Sequence, residues 1–173
     1  MDILKAAPDD YADIRRFYHS IIEANRDSGI YIGWKKDIYP SPGFIKDSIA
    51  AGELFVGRSD NGIAAAMVVN HQANDSYRLF EWPSRAADDE VTVVHVLGVH
   101  PMYCGRGYGR QMVGEVIKDA VKNRQKAIRL DVLEGNIPAE RLYERMGFKY
   151  LHTLKMFYED TGWTNYRLYE YAL

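Results

Sequence analysis

The chain has 173 residues and a formal net charge of −2, with 47% hydrophobic and 27% charged residues. That is enough chain for one compact domain over residues 1–173, with an ordinary water-soluble composition. The single cysteine, Cys104, excludes an internal disulfide framework and a cysteine-cluster metal site. The balanced charge gives no electrostatic reason to expect nucleic acid.

No apolar run reaches bilayer-spanning length, and "MDILKAAPDD" lacks the basic and apolar regions of a signal peptide. A cytoplasmic protein with no membrane partner is therefore expected. "DILKA" reads as a short opening strand. Pro8 with Asp9 and Asp10 suits a helix start, and Tyr11, Ile14, Phe17, Tyr18, Ile21 and Ile22 then recur at helical spacing. "YPSPGFIKDSIAAGE" holds a shorter helix, with Ser41 as N-cap and Pro42 at its first position. "ELFVGRSDNGIAAAMVVN" reads as a hairpin in which Asn61-Gly62 supplies two positive φ angles.

A polar loop through "NDSYRLFEWPSRAADDE" leads to an apolar strand, Val91–Val99. After it come glycines at 105, 107 and 109, then a helix marked by Met112, Val113, Val116, Ile117, Ala120 and Val121. "AIRLDVL" is a buried strand, and "NIPAERLYERM" a helix capped by Gly147. "FKYLHTLKMFY" and "TNYRLYEYAL" are two final strands. The order of elements gives an α/β fold with a mixed sheet.

The stretch "HVLGVHPMYCGRGYGRQM" carries the most chemistry. A helix N-terminus offers unpaired amides and partial positive charge, and glycines let the preceding backbone curl around an anion. Arg106 and Arg110 add charge-assisted donors. A dinucleotide fingerprint would need glycine where Arg110 stands, and a P-loop needs a Gly-Lys pair that the chain lacks. A cradle for some other phosphate remains, or a glycine turn that merely joins strand to helix.

Cys104-Gly105-Arg106-Gly107-Tyr108-Gly109 resembles the acetyl-CoA motif Gln/Arg-x-x-Gly-x-Gly/Ala of the GNAT superfamily of N-acetyltransferases. Cys104 departs from it, standing where the family has Gln or Arg. Further on, Asn136, Ala139, Tyr143, Gly147 and Phe148 match the family's second motif, N-x-x-A-x-x-x-Y-x-x-x-G-F. The resemblance implies a mostly antiparallel mixed sheet of about seven strands with about four helices, splayed at the strand pair that holds acetyl-CoA. It also implies a metal-free N-acetyltransferase acting on an amine of a small molecule or protein. A non-catalytic acyl-CoA sensor and an O-acyl transferase are the alternatives.

By the same resemblance, Leu97 and Val99 hold the pantetheine arm through main-chain groups. The segment Cys104, Gly105, Arg106, Gly107, Tyr108, Gly109 and Arg110 takes the diphosphate, and Asn136 reaches the cofactor arm. Tyr143 is the general acid for the departing thiolate. Gly98 marks a bulge that spreads the strands. The strand Val91–Val99 has no carboxylate to serve as base. His95, on the alternating face of Leu97 and Val99, reads either as that base or as a satisfied core histidine; His71 and Glu81 are further candidates. Cys104 needs no catalytic role in direct transfer. Tyr31, Trp34, His71 and Trp82 are candidates for the acceptor site, and Tyr39, Tyr158 and Trp163 add aromatic surface for the acceptor or for a homodimer.

Overall fold

Alternation of side chains in the middle strand divides the molecule in two. In the computed structural model, which describes residues 1–173, β3 (Gly62–Asn70) sends Ala66 and Val68 to one apolar cluster and Ala65 and Met67 to another. The first cluster takes in α1 (Tyr11–Asn25) and α2 (Pro42–Ala50) through Ile14, Phe17, Tyr18, Ile21, Ile45 and Ile49. The second takes in α3 (Tyr108–Lys122) and α4 (Ile137–Arg145) through Met112, Val113, Val116 and Tyr143. Each large apolar side chain so buried contributes roughly 1.5–3 kcal/mol.

The remaining strands are β1 (Asp2–Lys5), β2 (Leu54–Ser59), β4 (Val91–Val99), β5 (Ala127–Leu133), β6 (Lys149–Tyr158) and β7 (Gly162–Ala172). They form one seven-stranded sheet in the order β1-β2-β3-β4-β5-β7-β6. Every neighbouring pair is antiparallel except β4 and β5. The caps follow the local chemistry expected of them. Ser41 accepts a hydrogen bond from the Phe44 amide at 3.1 Å, and Gly147 ends α4 with φ +95°. No helix is long and apolar enough to cross a membrane.

Three expectations need correction. The β2–β3 turn does not use Asn61-Gly62 as a left-handed pair: Ser59 pairs with Gly62, the turn residues are Asp60 and Asn61, and only Gly62 has positive φ. The segment after β3 is not a plain loop. It holds 3-10 turns at Asp75–Leu79 and Asp88–Glu90, and it buries Tyr77 and Trp82.

The bulge in β4 lies at Val96, not Gly98. Ala66 pairs with Gly98 and Val68 with His95, so Val96 and Leu97 together face Met67, and Val96 has φ +46°. The Tyr18 hydroxyl donates to the Val96 carbonyl at 3.0 Å and holds the kink. Gly98 serves close packing instead, since a Cβ there would stand 2.7 Å from the Ile21 Cδ1. Beyond the three pairs from Val91↔Ala127 to Val93↔Arg129, β4 and β5 part.

Candidate active site

The glycine segment leaves a β4 that ends at Val99, passes a 3-10 turn at Pro101–Tyr103 and enters α3 through Gly107. Gly105 and Gly107 both adopt the left-handed conformation, φ +77° and +81°, which disfavours any residue with a Cβ. The Cys104 and Arg106 amides close turns onto Pro101 and Tyr103, and the helix ladder begins at Gln111 on the Gly107 carbonyl. The amides of Gly105, Gly107, Tyr108, Gly109 and Arg110 have no acceptor in the protein. No atom lies within 4 Å of where a Cβ would sit on Gly105 or Gly107, so the cradle is open. Gly109 differs: its absent side chain lets α4 approach, with Leu142 3.1 Å from the Cβ position.

This cradle forms one end of a groove of about 370 Å³. Every residue matched to cofactor binding lines the groove except Arg106, whose guanidinium lies 5.5 Å from the centre of the Tyr103 ring. Cys104 is exposed, its thiol 3.8 Å from the His100 carbonyl. The groove runs to the parting of β4 and β5, where a narrower void of about 90 Å³ shares Leu97, Asn136, Tyr143 and Trp34 with it. Asn136 caps α4, its side-chain oxygen accepting from the Ala139 amide at 3.4 Å, and its amide nitrogen stays unpaired.

Tyr143 projects from α4 into this junction, its ring edge-on to Phe148 at 5.4 Å. Burial raises its phenol, with the charge of Asp131 adding to the shift, so the proton is firmly held. His95 lines the void but does not share a face with Leu97 and Val99. It pairs with Val68 on the α1/α2 side, whereas Leu97 and Val99 pack on the α3/α4 cluster, because the Val96 bulge breaks the alternation. Its Nε2 lies 2.9 Å from the Asn70 side-chain oxygen, and burial lowers its pKa to about 4.

The acceptor candidates divide. Trp34 lines both the groove and the void, and Tyr31 stands exposed on an outer surface groove. His71, Glu81 and Trp82 lie in a separate cavity of about 510 Å³ under the segment that follows β3. There Trp82 is buried beneath Arg129, 4.4 Å from its ring centre, and His71 bonds the Val91 carbonyl at 2.8 Å.

Asp131, at the middle of β5, is the functional candidate that sequence reasoning missed. It faces the void across from β4, and the hydroxyls of Tyr77 and Tyr158 both donate to its Oδ2 at 2.8 Å. Its Oδ1 carries no hydrogen bond. Burial raises the carboxyl above the usual carboxylate range, against the pull of the two phenols. The available signal was a lone carboxylate between Leu130 and Val132 in an otherwise buried strand.

An open mixed sheet that parts at its one parallel pair, beside a glycine-turned cradle of free amides, defines the acetyltransferase class of α/β proteins. The acetyltransferase (GNAT) family model matches residues 10–148, and the chain belongs to that family. N-alpha-acetyltransferase RimI of Mycobacterium tuberculosis is 35% identical over 69 residues, covering 40% of this chain and 42% of that protein. An uncharacterized protein of Mycobacterium leprae is 36% identical over 69 residues, only 18% of its own length. The alignments therefore span less than half of these curated relatives.

Among solved structures, a GNAT-family acetyltransferase from Streptococcus agalactiae superposes with a TM-score of 0.80 at 19% identity, covering 99% of this chain and 95% of that one. NAA60 of Arabidopsis thaliana, in complex with acetyl-CoA, gives 0.71 at 18% identity, covering 99% and 98%. Both share the fold.

Proposed function

We propose that the chain transfers the acetyl group of acetyl-CoA directly to a primary amine. The observation that carries this reading is the row of unpaired amides from Gly105 to Arg110, opening on a groove that ends at Tyr143 between parted strands. The open left-handed glycines fit a diphosphate, and the narrowing beyond Leu97 fits a thin arm ending in a small acyl group. Acetyl-CoA supplies a thioester carbon that accepts the amine and a thiolate that leaves.

The protein's own groups divide the proton work. An alkylammonium lies about three pK units above neutrality, a cost of roughly 4–5 kcal/mol that a local base reduces. Asp131 offers its free Oδ1 on the far side of the cleft and takes the proton as the new C–N bond forms. Tyr143 holds its proton until the C–S bond breaks, then gives it to the sulfur. His95, bonded to Asn70 and a weak base at about 4, is a satisfied strand histidine in this reading. The name of the RimI relative, an N-alpha-acetyltransferase, supports an amine acceptor.

Acetyl-CoA is expected to raise the melting temperature, and Gly107→Val to weaken that effect by closing the cradle. Tyr143→Phe and Asp131→Asn should each lower turnover by about 10²- to 10⁴-fold with acetyl-CoA affinity little changed, followed by free-thiol release across an amine library. No thermal shift at millimolar acetyl-CoA would overturn the assignment. Cofactor binding without thiol release from any amine would leave a sensor.

A further inference from the structure

The turn between β6 and β7 carries a second carboxylate into the acceptor end of the cleft. Asp160 is only 3% exposed, and its Oδ1 is buried with no hydrogen-bond partner. It lines the same narrow void as Asp131. No lysine or arginine lines that void, whose other polar side chains are Asn136, His95, Trp34 and tyrosines. The Asp160 carboxyl feels the charge of Lys35 from outside it and the amides of Asp160 and Thr161, but its Oδ1 keeps no partner. A buried carboxylate oxygen without a partner is destabilising unless a ligand supplies one.

Aromatic rings wall the space between the two acids. Tyr39 packs on Tyr158 at 5.7 Å and Tyr158 on Tyr166 at 4.9 Å, with Trp34 at the rim. The charges of Asp131 and Asp160 both act on the phenols of Tyr39 and Tyr166, so the two acids address one volume. The void, about 90 Å³, is narrow and continuous with the cofactor groove at Leu97 and Tyr143, so an unbranched chain can reach the acyl end from the Asp160 side. Aromatic faces around it favour a cation.

We propose that Asp160 is the specificity residue of the acceptor site, and that the acceptor is a short aliphatic diamine. One ammonium is held on the Asp160 Oδ1 between the tyrosine rings while the other nitrogen reaches the Asp131 Oδ1. The inference deepens the acetyl-transfer reading and rests on it. Asp131 handles the reacting proton, and Asp160 positions the second charge.

The test is calorimetric titration of diaminobutane and of butylamine into the wild-type protein saturated with CoA, and into Asp160→Asn. A charge-assisted hydrogen bond predicts that wild type binds diaminobutane at least about tenfold more tightly than butylamine. The preference should shrink to about threefold or less in Asp160→Asn, an isosteric change that keeps the turn. Equal affinity for the two amines in wild type, or no binding of either, overturns the proposal without recourse to the variant. Tighter binding of a tetrapeptide amine than of diaminobutane overturns it in favour of a protein acceptor. Because the readout is binding, diamine selectivity without thiol release would count against the transfer chemistry and not against Asp160.

Discussion

His95 and Asp131 face the same void, yet their surroundings push them in ways that suit different work. Desolvation disfavours the charged form of each, which lowers the imidazole to about 4 and raises the carboxyl. The histidine loses its value as a base, while the acid moves toward the range where it can take a proton. For His95 this has a consequence for stability. The unfolded chain binds a proton near pH 6.5 and the folded chain does not until about pH 4, so between those values the unfolded state holds more protons. Stability therefore falls as pH drops through that window, by up to roughly 3 kcal/mol from this residue. Urea midpoints at several pH values should show that slope in wild type and a shallower one in His95→Gln. Parallel slopes would mean that the imidazole is solvated in the folded protein.

At the scale of elements, the cleft depends on one kink. The Val96 bulge turns the end of β4 away from β5, and its carbonyl, buried under α1, is satisfied by the Tyr18 hydroxyl. Tyr18→Phe removes that donor and leaves a buried acceptor unpaired, a cost of about 1–3 kcal/mol. Chemical denaturation should register that loss, and KM for acetyl-CoA should rise as the strand end relaxes. An unchanged KM beside the lost stability would show that the splay does not need the tyrosine. This bond also marks the limit of what the sequence discloses. The caps at Ser41 and Gly147, the glycine cradle and the extent of β4 and β5 follow from neighbours a few residues away, and they were legible. Val96 was not, because its conformation is held by a residue 78 positions earlier. Asp131 was missed for the same reason: its phenol partners come from 54 positions before it and 27 after, and a strand seen alone shows only one acid among apolar residues.

For the molecule as a whole, the sheet separates donor from acceptor. The cradle and groove belong to the end where α3 and α4 meet β4, while Asp131, Asp160 and their tyrosines stand on the face that carries α1 and α2. On that face the segment after β3 is clamped to β5 and β7 by a buried ion pair. The Arg129 Nε lies 2.9 Å from Glu170, and the Ser84 hydroxyl bonds both partners. The pair fixes the segment in place, and the nearby cavity around Trp82 is rimmed by the exposed charges of Arg78, Glu81, Arg85 and Asp88. The two openings meet only where β4 and β5 part, and each should respond to its own ligand. Hydrogen–deuterium exchange followed by peptide mass spectrometry should show CoA slowing uptake at Gly105–Arg110, where the amides are unpaired, and leaving Asp75–Leu79 unchanged. Slowed uptake at Asp75–Leu79 with none at the glycines would place the nucleotide on the wrong face of the sheet, and the division of the cleft between donor and acceptor would fail with it.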